Sequence, residues 1–299
     1  MTDFFNDPRV ALDEAMSRHC TYRVGGTVRA FVTVSSDADL VELAPQWQAL
    51  GWPVMAVGNG SNLLVAEGTH DLVVVHLSGS FAELSWRAEG EGFEARLGGA
   101  LDLPIAARRL AAEGLGGFEW AVGVPGTVGG ALAMNAGGHG SDMAANVTWA
   151  KVWRDGGSRE WLPSELALSY RSSALAVGDI VTEVGLRLTA TPSDKAKEAL
   201  REIVRWRREH QPGGQNAGSV FRNPEGEHAG QLIEAAGGRG LRIGTASTSS
   251  KHANFIVTDE GGSASDVWAL MQELRRRVHE TSGVNLISET RCVGFGDSW

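Results

Sequence analysis

Apolar positions along the chain fall into short runs separated by glycine-rich breaks, and their period shifts from one region to the next. The apolar, β-branched run at 29–34 reads as a strand, and Ser36 is placed to cap a helix whose middle Pro45 should disturb. Residues 53–57 lead into Gly58-Asn59-Gly60-Ser61-Asn62, and 72–77 reads as a buried strand. Strands then dominate, at 94–97, 147–154 and 180–188, with one helix at 103–113 that Gly114 should close in a left-handed stop. A linker at 189–194 containing Pro192 precedes a charged helix at 195–208. A Gly/Asn/Gln turn, a short helix near 231–236, further strands and a helix at 266–280 follow. In that last helix Val267, Leu270, Met271, Leu274 and Val278 recur at helical spacing, which predicts one buried stripe of core. No internal repeat is visible.

Composition narrows the class. A length of 299 residues allows two or three packed lobes, and 42% hydrophobic with 21% charged residues is ordinary for a soluble globular protein. The 39 glycines are clustered rather than periodic, which excludes collagen and points to backbone that approaches a ligand closely. A formal charge of −9 argues against a nucleic-acid binder but leaves room for a phosphate-bearing small molecule in a local cradle. Cys20 and Cys292 offer neither metal spacing nor a disulfide framework, so no metal is expected and a reducing cytoplasm is. Asp3, Asp7, Asp13 and Glu14 stand where a signal peptide would need an apolar core. The uncharged stretch at 120–141 is broken by seven glycines, Pro125 and Asn135, and would make a poor membrane helix.

Six strings carry candidate chemistry. In Gly58-Asn59-Gly60-Ser61-Asn62, successive backbone N–H groups can face a pyrophosphate, although the same string fits an ordinary turn and lacks the spacing of a Rossmann fingerprint. Five of the eight residues at 123–130 are Gly or Pro; the uncharged run at 123–138 can pack little side-chain volume, so a large flat ligand is expected against its backbone. Tyr170-Arg171-Ser172-Ser173 joins a phenol, a permanent cation and two hydroxyls ahead of a strand, and on its own usually reads as a surface Arg beside a half-buried Tyr. Asn216-Ala217-Gly218-Ser219-Val220-Phe221-Arg222-Asn223-Pro224 is not a nucleophile elbow. Downstream, Lys251-His252-Ala253-Asn254 enters an apolar strand, where His252 alone would be a structural histidine. Glu289 and Arg291 alternate, which places them on one side of a strand or at a solvated edge.

Taken in order with Tyr22-Arg23-Val24-Gly25-Gly26, these strings resemble the UDP-N-acetylenolpyruvoylglucosamine reductases, the MurB family, over nearly the whole chain, in the shorter of its two architectural types. The resemblance implies an α+β chain: a two-subdomain, non-Rossmann FAD-binding fold (PCMH-type) plus a C-terminal α/β substrate-binding lobe. The boundaries expected are 1–78, 79–190 and 191–299, with the final strand near 286–299 returning to the FAD site. Non-covalent FAD would be held by Val57, Gly58, Asn59, Gly60, Ser61, Asn62 and Leu63, by Val124, Pro125, Gly126, Thr127, Gly129, Gly130, Asn135, Ala136 and Gly137, and by Arg291. Arg171, Ser219 and Glu289 would be catalytic; Tyr170, Arg207, His210, Arg222, Asn223 and His252 would bind substrate. NADPH would be the reductant and a UDP-sugar the acceptor, in a cytoplasmic monomer or weak homo-oligomer without nucleic-acid or membrane partners. Rival readings are an oxidase on the same FAD scaffold and a non-catalytic nucleotide-binding protein. The family usually has Lys at the positions of Arg222 and His210, Tyr at His139, and Gly and Asn at Thr245 and Thr258.

Overall fold

The run read as a strand at 29–34 is the longer strand Thr27–Val34 in the computed structural model, which describes residues 4–296. Chain contacts divide the protein into two units. One takes the chain up to Leu12, then Arg29–Gly58 and Asp71–Arg207; the other takes Asp13–Val28, Asn59–His70 and the chain from Arg208 onward.

The strands Val10–Ala15, Thr27–Val34, Thr69–Leu77 and Val54–Ala56, which belong mostly to the first unit, lie side by side in that order, the last two parallel. Helix Asp37–Gln48 begins with a capping box, Ser36 accepting from Asp39 N while the Asp39 carboxylate accepts from Ser36 N. Pro45 does not break it. The ring removes one intrahelical bond, but Leu43, Ala44 and Trp47 are buried against Val32, Val34, Val73 and Val75, and this packing holds the last turn.

A second sheet of the same unit runs Gly157–Trp161, Val147–Arg154, Ile180–Ala190, Gly92–Gly98, Leu84–Glu89, all antiparallel neighbours. Its two outer strands carry mostly exposed residues; neither was expected from the sequence, although Leu84, Trp86 and Ala88 alternate with polar residues in one of them. Helix Leu103–Ala112 ends before Gly114, whose φ of 75° is the left-handed stop. Leu103, Ala106 and Leu110 form one core with Val128, Leu132, Val152, Val184 and Leu186. The expected linker shrinks: Thr189 and Ala190 still pair with Gly116 and Leu115, and helix Ser193–His210 starts directly after Pro192.

The second unit pairs Leu63–Val65 in parallel with Arg291–Val293 and holds a small antiparallel sheet of Arg242–Ile243, Ala246–Thr248 and Ile256–Thr258. Helix Ala264–Ser282 buries the stripe read from its spacing: Val267, Leu270, Met271, Leu274 and Val278 are at most 1% exposed. Its N-terminus receives the Glu67 carboxylate, which accepts from Ala264 N (2.6 Å), Ser265 N (3.1 Å) and the hydroxyls of Ser263 and Ser265.

Candidate active site

In the first unit, Gly58 and the glycine-rich run at 123–138 meet. Thr127 caps helix Val128–Ala133 by accepting from Gly130 N, and a Cβ on Gly58 would lie 2.3 Å from the Thr127 hydroxyl oxygen. Only glycine fits there. Part of the run serves the core rather than a ligand, because Val128 and Leu132 are fully buried and Gly129 N donates to Gly99 O (2.9 Å). Pro125 and Gly130 are exposed, and Val124 and Gly126 are half-buried, which leaves the other face of this loop for a flat group.

The next segment is stitched to the Arg171 turn. Asn135 is 2% exposed; its amide donates to Asp142 Oδ2 (3.2 Å) and Ser169 O (3.0 Å), and its Oδ1 accepts from Ala144 N (3.0 Å). The side chain assigned to FAD from the sequence is thus engaged within the protein as a strut. Ser169 and Ser172 exchange backbone hydrogen bonds at 3.0 Å, so Tyr170 and Arg171 form a two-residue turn, with Tyr170 exposed rather than half-buried. Arg171 takes φ 56°, a left-handed conformation costly for a long side chain. Its guanidinium lies 5.3 Å from the centre of the exposed Tyr170 ring and donates from Nη2 to Gly137 O (3.3 Å), and Ser173 Oγ donates to Ala133 O (2.8 Å). Turn and glycine run are one piece. Arg207, half-buried near the end of helix Ser193–His210, has its pKa lowered by desolvation.

In the second unit the phosphate-loop candidate is clasped to the chain end. Gly60 has φ 57°, and a Cβ there would lie 2.1 Å from His19 O. Thr21 N donates to Gly60 O (3.2 Å), Asn62 Nδ2 to Glu289 O (2.9 Å) and Arg291 N to Asn62 O (2.9 Å). Asn59 is exposed, Ser61 half-buried, and Leu63 begins the strand that pairs with Arg291. Glu289 and Arg291 do not alternate along one strand as their spacing suggested. The strand starts only at Arg291, because Glu289 N (2.7 Å) and Thr290 N (3.3 Å) both converge on Val220 O and interrupt the alternation.

Ser219 is held between these partners. Its backbone bridges Phe255, Gly218 before it has φ 76°, and Phe221 after it bridges Ser288. Asn254, 3% exposed, accepts from Phe221 N (3.0 Å) on Oδ1, donates to Phe221 O (2.8 Å) from Nδ2, and accepts from Val220 N (2.9 Å) on its carbonyl. Sequence reasoning passed over this clamp, though an asparagine inside an apolar run was a sign of it. The remaining substrate candidates divide. Asn223 Oδ1 accepts from Ala229 N at the start of helix Ala229–Ala235 (3.0 Å). His252 packs its ring on Phe255 at 4.8 Å, its Nδ1 accepts from Asn254 N, and desolvation lowers its pKa, so it is neutral near pH 7. His210 is exposed at the helix end.

A diphosphate-bearing flavin fits this donor set. Desolvation, then the neighbouring Arg222 cation, lower the Arg291 pKa, and Arg222 Nε is buried without a hydrogen-bond partner. Two guanidiniums that repel each other beside the end of a glycine loop call for an anion between them. The loop itself offers backbone at positions where side chains cannot stand.

Residues 28–162 match the family described as "FAD binding domain", and residues 210–293 match "UDP-N-acetylenolpyruvoylglucosamine reductase, C-terminal domain". The UDP-N-acetylenolpyruvoylglucosamine reductase 2 of Symbiobacterium thermophilum is 41% identical, covering 98% of this chain and 96% of that protein. The chain belongs to the UDP-N-acetylenolpyruvoylglucosamine reductase family. The reductase of Heliobacterium modesticaldum is 42% identical over 94% of this chain and 90% of its own length. The crystal structure of the Thermus caldophilus reductase superposes with a TM-score of 0.80 at 35% identity, covering 95% of this chain and 99% of that one. The α+β architecture with an FAD-binding domain, expected from the sequence, is the family's.

Two departures from the family pattern acquire structural jobs. Thr245 hydrogen-bonds Asp266 through its backbone N–H and its hydroxyl (2.7 Å each), and Thr258 Oγ1 donates to Tyr22 O (3.0 Å).

Proposed function

We propose that this chain reduces the enolpyruvyl group of UDP-N-acetylenolpyruvoylglucosamine to give UDP-N-acetylmuramate for peptidoglycan synthesis, with non-covalent FAD and with NADPH as reductant. The observation that carries the assignment of roles is the Arg171 turn, a strained cation tied to the glycine run through Gly137 O. Strain of this kind is kept where a side chain must be aimed.

Bound FAD would supply a two-electron carrier that takes a hydride from NADPH and delivers it to C3 of the enolpyruvyl double bond. The chain's own groups do the rest. Charge building at C2 spreads onto the substrate carboxylate, and Arg171 meets it with a fixed positive charge, assisted by Glu289. Ser219 provides the proton at C2 as general acid, its backbone fixed by Phe255 and by the Asn254 clamp on its neighbours. Tyr170, Arg207, His210, Arg222, Asn223 and His252 serve the UDP-sugar, and the two nucleotide substrates bind in turn, giving ping-pong kinetics. Val57 to Leu63, the residues from Val124 to Gly137 named above, and Arg291 serve FAD. The division into lobes 1–78, 79–190 and 191–299, a cytoplasmic location and a monomeric or weakly associating state belong to the same proposal. Among the described residues no helix is long and apolar enough to cross a membrane.

The test is purified protein mixed with NADPH and the UDP-enolpyruvyl sugar. NADPH oxidation that requires the sugar, with one UDP-N-acetylmuramate formed per NADPH, supports the proposal. NADPH oxidation by oxygen alone, or none at all, rejects it.

A further inference from the structure

Trp206 stands on the last turn but one of helix Ser193–His210 with 43% of its surface exposed, although only Ala196 and Leu200 of that helix are fully buried. The core does not need this tryptophan. His139 meets it edge-on, ring centres 5.1 Å apart at 88°, from the tip of the glycine run, where His139 (φ 52°) and Gly140 (φ 85°) both take left-handed backbone. Beneath them Gly123 is closely packed: a Cβ would lie 3.0 Å from Ile203 Cγ2, 3.2 Å from Arg207 Cδ and 3.4 Å from His139 Cδ2. Helix end and loop tip therefore close on the glycine, and the same loop carries the Gly137 carbonyl that receives Arg171.

This brings an exposed indole, an imidazole and a half-buried guanidinium together on one rigid base. Desolvation, followed by the Arg207 cation, lowers the His139 pKa, so the imidazole is neutral near pH 7 and keeps its edge-on packing. Desolvation likewise weighs against the charge on Arg207, which stays protonated, and a phosphate beside it would offset that cost. An indole face beside a phosphate-seeking cation is the chemistry that recognises a nucleotide: the ring stacks and the diphosphate is neutralised.

We infer that Trp206 and His139, with Arg207 beside them, form a subsite for the nucleotide end of a substrate, the heterocycle lying on Trp206 while His139 fixes the indole in place. The inference rests on the proposed function and names the residues that read the ring. UDP and NADP⁺ share this chemistry, and separate titrations distinguish them.

The test is calorimetric titration of oxidised flavoprotein with UDP and, separately, with NADP⁺, in wild type, Trp206→Ala, Trp206→Phe and His139→Ala. Base stacking on an aromatic ring is worth roughly 5- to 100-fold in affinity. Trp206→Ala should weaken one or both nucleotides by roughly tenfold or more, Trp206→Phe should recover most of the loss, and His139→Ala should fall between them, all with unchanged flavin content. Loss for UDP alone assigns the subsite to the sugar nucleotide, loss for NADP⁺ alone to the reductant, and loss for both to a shared role. Wild-type affinities retained in all three variants overturn the subsite while leaving the proposed function standing. A wild type that binds neither nucleotide overturns both.

Discussion

Replacing Arg171 by alanine and by glycine separates its backbone cost from its charge. At φ 56° a residue with a Cβ costs about 1–2 kcal/mol, whereas glycine loses about 0.5–1 kcal/mol more chain entropy than alanine on folding. Both variants lose the same contacts to Gly137 O and the Tyr170 ring, so those cancel in the comparison. The glycine variant should therefore be the more stable of the two by about 0.5–1 kcal/mol, the reverse of the order at an ordinary position. In thermal unfolding of the flavin-loaded proteins that is a midpoint higher by about 1–3 °C. Turnover should fall by about 10²–10³ in both, the usual loss when one charge-stabilising group is removed, with flavin reduction by NADPH much less affected. A glycine variant less stable than the alanine variant refutes the strain argument, and a difference of tenfold or more in kcat between the two refutes the view that only the guanidinium matters.

Ser219→Ala should slow transfer to the UDP-sugar by about 10²–10⁴ while leaving reduction by NADPH nearly intact; stopped-flow traces with equal losses in both steps contradict its role as acid. Gly60→Ala places a methyl 2.1 Å from His19 O in a left-handed turn, and equilibrium dialysis should show FAD affinity weakened about tenfold or more. Asn254→Ala strands both backbone groups of buried Phe221, costing about 2–4 kcal/mol in denaturant unfolding; a loss under about 0.5 kcal/mol would show the clamp to be dispensable. Burial raises the Glu67 pKa, but hydrogen bonds from Ser265 and Ser263 outweigh it and bring it down to about 2. Its folded value thus lies below its unfolded one, so its stabilisation is present above the ordinary carboxylate range and fades as pH falls toward 2. For an exposed carboxylate this is about 1 kcal/mol after screening, and the gap between wild type and Glu67→Gln should close over that acid range. A gap independent of pH refutes the linkage.

The parts of this fold that were legible are those where one physical signal dominates. The stripe from Val267 to Val278 and the left-handed stop at Gly114 are local patterns, and the structure keeps both. Pro45 misled because its effect on the helix is local while the burial of Leu43 and Trp47 that overrides it is tertiary. The outer strand Gly157–Trp161 went unseen because its mostly exposed residues carry no apolar alternation, and Leu84–Glu89, where Leu84, Trp86 and Ala88 do alternate with polar residues, was passed over although the pattern was there. Motif order named the family, but the supports of its candidate site were hidden: Asn135 as a strut, Asn254 as a clamp and the left-handed turn at Arg171 each depend on partners distant in sequence.

The most direct measurement is an anaerobic absorbance record of the purified flavoprotein through two additions. One equivalent of NADPH should bleach the oxidised flavin band, and one equivalent of UDP-N-acetylenolpyruvoylglucosamine, added after the NADP⁺ is removed, should restore it in full with release of UDP-N-acetylmuramate. A flavin that NADPH bleaches but only oxygen restores contradicts the account.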